Sequence, residues 1–217
     1  RPYSLYLPAG HGGMLIHEVI GHLLEFRPNG FLNERFDINI GPSFLTVVDD
    51  PTLDRQFGSF DYDDEGRPGK RKVLIQNGVI KDQLATLQDR EFYSNLSGGN
   101  ARSSDFRFNP KATMSNTFLE PDPSDRIEFK NVVDRAEMEV VQFGQGKVNH
   151  QNGNFEFLVR EAWLLGSTEE VLLSPFIIKG NALDLLRNFA SVAGETKLVP
   201  SYCLSSSGSI PVSYGQP

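Results

Sequence analysis

Apolar positions change period along the 217-residue chain, and the change separates one strong helix from a series of strands. In the stretch 12–26, G-G-M-L-I-H-E-V-I-G-H-L-L-E-F, Leu15, Val19 and Leu23 recur at helical spacing with Ile16 and Ile20 beside them. That pattern predicts a helix with one apolar face, bounded by Gly12-Gly13 before it and Pro28-Asn29-Gly30 after it. Beyond it the chain reads mostly as strand and turn. A short apolar run over 44–48 ends at Asp49-Asp50-Pro51, and Val73-Leu74-Ile75-Gln76 followed by Asn77-Gly78 and Val79-Ile80-Lys81 carries the two-residue turn of a hairpin. Further strands are predicted over 112–119, 126–133, 137–143, 155–165 and 171–178, the last with Pro175 forcing a bend or an edge position. A second helix is predicted over 181–192, capped by Asn181 with Leu183, Leu186 and Ala190 as its stripe, and a weaker third over 83–95. Ser205-Ser206-Ser207-Gly208-Ser209 is the one low-complexity stretch. The expected class is α+β, strand-rich, with a mostly antiparallel sheet, the first helix near the N-terminus and the second near 181–192.

Composition narrows the function classes. With 21 Lys+Arg against 28 Asp+Glu the net charge is −7, which argues against broad nucleic-acid binding. No uninterrupted apolar run approaches the ~20 residues of a membrane-spanning helix. The lone cysteine, Cys203, excludes a disulfide within the chain and points to a soluble protein of the cytoplasm. The start at Arg1-Pro2-Tyr3 without Met, and an end without a polar tail, predict a fragment of a longer chain, with 1–217 as a single domain.

Candidate chemistry concentrates at His17-Glu18-Val19-Ile20-Gly21-His22, which holds two of the four histidines. In H-E-x-x-H enzymes one helical turn aims both imidazoles at Zn²⁺ and the Glu serves as general base. Here the motif is H-E-x-x-x-H, and a five-residue step in a regular α-helix separates the two side chains by roughly 140°. Gly21 offers a remedy, since glycine tolerates the distortion of a π-bulge or broken turn. A catalytic zinc takes three protein ligands and an open position. The third ligand is open among His11, in a Gly-rich turn, His150, in a polar turn, and Cys203, whose thiolate is a soft donor. Asp61, Asp63, Asp64 and Glu65 lack the spacing of an EF-hand loop and read as a solvated turn before the hairpin.

Taken together, G-G-M-L-I-H-E-V-I-G-H at 12–22, T-V-V-D-D at 46–50, D-D-E-G-R-P at 63–68, V-L-I-Q-N-G-V-I-K at 73–81 and G-N-A-R at 99–102 resemble the C-terminal region of the TldD/PmbA family of zinc metallopeptidases. The likeness continues through M-S-N-T-F at 114–118, G-K-V-N at 146–149, G-N-F-E-F-L-V-R-E-A at 153–162 and C-L-S-S-S-G-S-I-P-V-S-Y-G-Q-P at 203–217, in family order and over nearly the whole chain. It is most similar to the metal-bearing TldD-type subunit. The resemblance implies that His17, His22 and Cys203 hold Zn²⁺, that Glu18 is the general base, and that unstructured peptides, including leader peptides of modified bacterial peptides, are the substrates. It also implies a dimer, of identical chains or with a metal-free PmbA/TldE-type partner. Arg102, Asn116, Arg160 and Glu161 fall in family-like segments and are candidates for contacting substrate or orienting ligands. Two departures stand out: the segment 23–31 after the helix, and Arg102-Ser103-Ser104, where a second arginine usual in the family is missing.

Overall fold

The helix expected over 12–26 forms over 13–24 (α1), but it is not one regular helix. An α-turn, Gly13–Leu15, leads into a π-turn, Ile16–Gly21, and a further α-turn, His22–Leu24, closes it. The His22 N–H donates to the His17 carbonyl, an i→i+5 bond that accommodates one surplus residue in the turn. Gly21 sits where the sequence suggested, for a different reason. Its φ of −56° and ψ of −54° are ordinary right-handed values that any residue adopts. What requires glycine is space, because a Cβ there would stand 1.9 Å from Met114 Sδ. Gly13 is similarly confined, since its Cβ would meet the Tyr214 ring at 2.6 Å.

The computed structural model describes residues 2–122, 135–166 and 170–217, so the strand expected over 126–133 lies outside the described residues. Among them are two principal sheets. The first runs β1 (Leu5–Tyr6), β8 (Met138–Val148), β9 (Asn154–Leu164) and β10 (Val171–Leu172), with β11 (Phe176–Asn181) also paired to β9. The strand expected over 171–178 is therefore two short strands, β10 and β11, separated at Pro175 as its missing N–H requires. The second sheet has the order β12 (Lys197–Ser205), β13 (Gly208–Gln216), β7 (Asn116–Leu119), β2 (Val47–Asp49), β3 (Lys72–Gln76), β4 (Val79–Ile80). A small pair joins β5 (Ala101–Arg102) to β6 (Lys111–Ala112), so the expected 112–119 strand is divided as well. Most pairings are antiparallel, and β1–β8 and β7–β13 are parallel.

The β3–β4 hairpin turns through Asn77 (φ 52°) and Gly78 (φ 76°), as the Asn-Gly pair predicts. Strands β12 and β13 are a correction, for the sequence reading left 197–216 without strands. Prolines 200 and 211 and the serine-rich turn mask the pattern. Pro200 lies on the edge strand, and Pro211 lies outside the stretch Ser213–Gly215 that β7 covers, so both escape the usual penalty. The minor helices are shorter than expected. Helix α2 (Leu87–Phe92) starts at a Thr86–Asp89 capping box, and α3 (Ala182–Arg187) at Asn181, whose side chain accepts from Leu183 N–H.

Helix α1 lies between the sheets, touching β8 of the first and β7 and β13 of the second. Leu15, Ile16, Val19, Ile20, Leu23 and Leu24 are all 0–4 % exposed and form the centre of the main core. Beside it runs a buried polar network. The Asp49 carboxylate accepts from Ser115 N–H (2.8 Å), Ser115 Oγ (2.7 Å), Thr117 Oγ1 (2.7 Å) and Asn100 Nδ2 (3.1 Å). Asn100 accepts in turn from Lys72 Nζ, which keeps this buried ammonium paired. Three of the sequence motifs, at 46–50, 99–102 and 114–118, thus meet in one scaffold. The acidic turn belongs to it too: Asp63 is buried, contrary to the solvated turn expected, and accepts from the N–H groups of Glu65, Arg67 and Ala101.

Gly21→Ala is expected to lower stability by about 1–2 kcal/mol in urea unfolding, overpacking against Met114 outweighing the gain in helix propensity. Introduced into Met114→Ala, the same change should cost less or nothing. Equal costs in the two backgrounds would show that the contact is not what demands glycine.

Candidate metal centre

The π-turn brings the two histidines of α1 together. Their ring centroids lie 4.9 Å apart with the planes at 74°. The third member arrives from the far end of the chain. Along β12, Val199, Ser201 and Cys203 share the face of Tyr214, Val212 and Ile210 opposite them on β13. This is the face turned to α1, since the Tyr214 ring lies 5.5 Å from that of His17. Cys203, 2 % exposed, places Sγ 3.6 Å from His22 Nε2. One ligand-type atom from each of His17, His22 and Cys203 lies within 4.8 Å of the others.

The electrostatics of the cluster suit a cation. Burial pushes the His17 pKa well below its ordinary value, helped by the neighbouring His22, and so keeps the ring neutral as a metal ligand must be. Nδ1 of His17 is buried without a hydrogen-bond partner in the protein, and Nδ1 of His22, though 3.0 Å from Glu25 Oε1, lies off the line of a hydrogen bond. Burial also disfavours a charge on His22, but Glu25 and Cys203 outweigh it and hold positive charge there well above the usual range. Two soft-to-borderline nitrogens and one thiolate within this span form a His₂Cys donor set of the type zinc takes, so the residues fit that ion.

Glu18 stands at the open side of the cluster. Its Oε2 is 3.9 Å from His22 Nε2 and its side chain is 27 % exposed, against 14 % for His22, so it reaches solvent while touching the site. Burial raises its pKa, partly opposed by His22 and reinforced by Glu25.

Glu25 was missed in the sequence reading. Its carboxylate is 4 % exposed, holds Oε1 3.0 Å from His22 Nδ1 and accepts from Arg27 Nη2 through Oε2 at 3.0 Å. A carboxylate behind a ligating imidazole fixes the ring and raises its basicity. The signal was available, since residues three apart on a helix are neighbours.

The remaining candidates separate from the cluster. His11 donates from Nδ1 to the Val141 carbonyl at 2.6 Å. His150 is half-buried, its ring 6.2 Å from that of His22. Arg102 is buried, donates to the Met114 carbonyl at 2.6 Å and lies over the Phe60 ring at 5.1 Å. Burial lowers its pKa, with Asp49, Asp64 and Cys203 opposing. Asn116 is fully buried and committed to the scaffold: it donates to Asp50 O (2.7 Å) and Ser59 Oγ (2.9 Å) and accepts from Gly58 N–H (3.1 Å). Arg160 and Glu161 lie on β9, Arg160 exposed and Glu161 paired in register with Gln142 of β8.

A strand-rich α+β fold with a histidine-pair helix and a distant cysteine defines a class of metalloprotein. The chain belongs to the family described as the PmbA/TldA metallopeptidase C-terminal domain, whose model matches residues 1–217. A metalloprotease TldD homolog of Buchnera aphidicola (from Schizaphis graminum) is 29 % identical over 99 % of this chain and 46 % of its own length. A metalloprotease of Methanocaldococcus jannaschii is 30 % identical over 98 % and 48 %. A zinc metalloprotease TldD homolog of Saccharolobus solfataricus is 28 % identical over 99 % and 49 %. The chain thus spans about half the length of the curated relatives it matches. The crystal structure of TldE from Thermococcus kodakarensis shares the fold, with a TM-score of 0.75 and 20 % identity over 99 % of this chain and 48 % of that one.

Glu25→Gln is expected to weaken metal binding about ten- to a hundredfold, read with Zn²⁺ in competition with a chelator. Unchanged affinity would detach Glu25 from the site.

Proposed function

We propose that this chain carries the zinc centre of a peptidase that hydrolyses peptide bonds in unfolded or unstructured peptides, leader peptides of modified bacterial peptides among them. The reading rests on one observation above all: His17, His22 and Cys203 converge within 4.8 Å beside the partly open carboxylate of Glu18. His17, His22 and Cys203 would hold the ion. Bound there, zinc supplies a Lewis acid for the scissile carbonyl and lowers the pKa of water.

The protein's own part is proton management. Glu18 takes the proton of the attacking water and delivers it to the leaving amine nitrogen. Its raised pKa suits both halves of that transfer, since the acid formed must give the proton up again near neutral pH. The Glu25 carboxylate, 3.0 Å from Nδ1, would raise the basicity of the His22 ring. Extended peptide would be held by strand addition, through backbone hydrogen bonds that read little of its sequence. Strand β12, which carries Cys203, supports this: among the described residues it ends its sheet, with one edge next to the site that no strand pairs. A single cysteine kept as a free thiol suits a reducing compartment, and we take the location to be cytoplasmic. Among the described residues no helix is long and apolar enough to cross a membrane. As a partner we take a second family chain, identical or of the metal-free PmbA/TldE type. Exposed apolar side chains such as Tyr202 and Leu204 on the outer face of β12 support such a contact.

Elemental analysis of the purified protein should give about one zinc per chain, lost in Cys203→Ser. Glu18→Gln should keep the zinc and lose about 10²–10⁴-fold in peptide turnover. A parent without zinc after reconstitution would favour a non-catalytic partner subunit, and an active Glu18→Gln protein would remove Glu18 as the base.

A further inference from the structure

A cavity of about 310 Å³ opens between the two sheets beside the metal-ligand cluster. Two of its lining residues join it to the site. Tyr214 lies against His17, and Met14 stands one turn before Glu18 on α1. The wall opposite is made by a defect in β8. Its register to β9 slips between Val140, Gln142 and Phe143, and the bulge lets the consecutive residues Val141, Gln142 and Phe143 all line the cavity. A regular strand would turn alternate residues away. The bulge is braced by His11: a carbonyl only accepts, so Nδ1–H of His11 donates to Val141 O, and the ring is spent on shaping this wall. The floor is Val199 of β12, which shares a sheet face with Cys203.

We propose that this cavity is the side-chain pocket of the peptidase, taking a large apolar side chain of the peptide and rejecting a cationic one. Met14, Val141, Phe143, Val199 and Tyr214 give it an apolar lining. Lys197 is the charged group among the lining residues, and among the described residues no carboxylate lines the cavity to compensate an incoming Lys or Arg. Val199 and Cys203 are four residues apart on β12, about 13 Å at roughly 3.3 Å per residue. An extended peptide has the same rise, so the residue that fills the pocket lies within about four positions of the bond cut. Backbone pairing along β12 would supply general affinity, and this pocket the selectivity that backbone pairing lacks.

The inference rests on the peptidase reading, and the experiment separates the two. Cleavage sites of the full-length zinc-loaded protein are mapped by mass spectrometry on a mixed peptide library. One position within four residues of the cut should favour Leu, Met or Phe over Ala by about tenfold or more and disfavour Lys and Arg. Lys197→Glu, an exposed change, should relieve the discrimination against Lys at that position, and Val199→Trp, which fills the pocket, should abolish the apolar preference. A flat profile, or one that neither variant alters, overturns the pocket while leaving the peptidase intact. If the parent cuts nothing, the peptidase reading fails, and fluorescence anisotropy then decides the pocket with labelled Gly-Ser peptides bearing one Leu or one Lys. Tighter binding of the Leu peptide, lost in Val199→Trp, supports it; equal binding overturns it.

Discussion

The hydrogen bond from the His22 amide to the His17 carbonyl sets the geometry on which the site depends. It makes room for one residue too many between two imidazoles, and a π-turn is a poor structure to leave unsupported. Support comes from every side. Ile16, Val19 and Ile20 within the turn are 0–1 % exposed, so the distorted stretch is also among the most deeply packed in the protein. Met114 presses into the space left by Gly21, and the Tyr214 ring into that left by Gly13. The end of the helix is fastened as well, by reciprocal backbone bonds of 2.8 Å between Phe26 and Leu84 and between Leu84 and Leu24. An irregular helix persists here because the sheets on both sides specify it.

Behind the helix the second sheet has a polar spine. Register aligns Lys72, Asp49, Thr117, Tyr214 and Val199 in one row across five strands, all on the face turned to α1. The row passes from a buried ion at one end to the wall of the site at the other. Buried charge is tolerable there because each member is bonded, Asp49 by four donors and Lys72 by neutral acceptors. Arg102 extends the arrangement. It grips the carbonyl of Met114, the residue wedged against the π-turn, so its connection to the ligands runs through packing.

What could be read from the chain follows what is local. The apolar stripe of α1 and the Asn77-Gly78 turn are short-range signals, and both formed where they were read. The Asn181 cap also formed as read, while α2 and α3 are shorter than the pattern suggests. The strands β12 and β13 were hidden by Pro200, Pro211 and five Ser/Gly residues, whose cost depends on which edge of which strand is free. That is a property of the sheet and cannot be seen along the chain. Spacing alone also left three residues competing as the third donor. Geometry separates them: His11 is turned to Val141 and His150 sits behind His22, while Cys203 closes on the pair. Glu25 was legible at three residues from His22 and was passed over because the motif ended one residue group too soon.

The cysteine and the histidine it meets are 181 residues apart. Among the described residues its strand joins the sheet through β13, which lies between β12 and β7. Synthesis runs from the N-terminus, so His22 emerges 181 residues before the cysteine it meets. The donor set of His17, His22 and Cys203 therefore stays incomplete until β12 has been made and has folded against the helix.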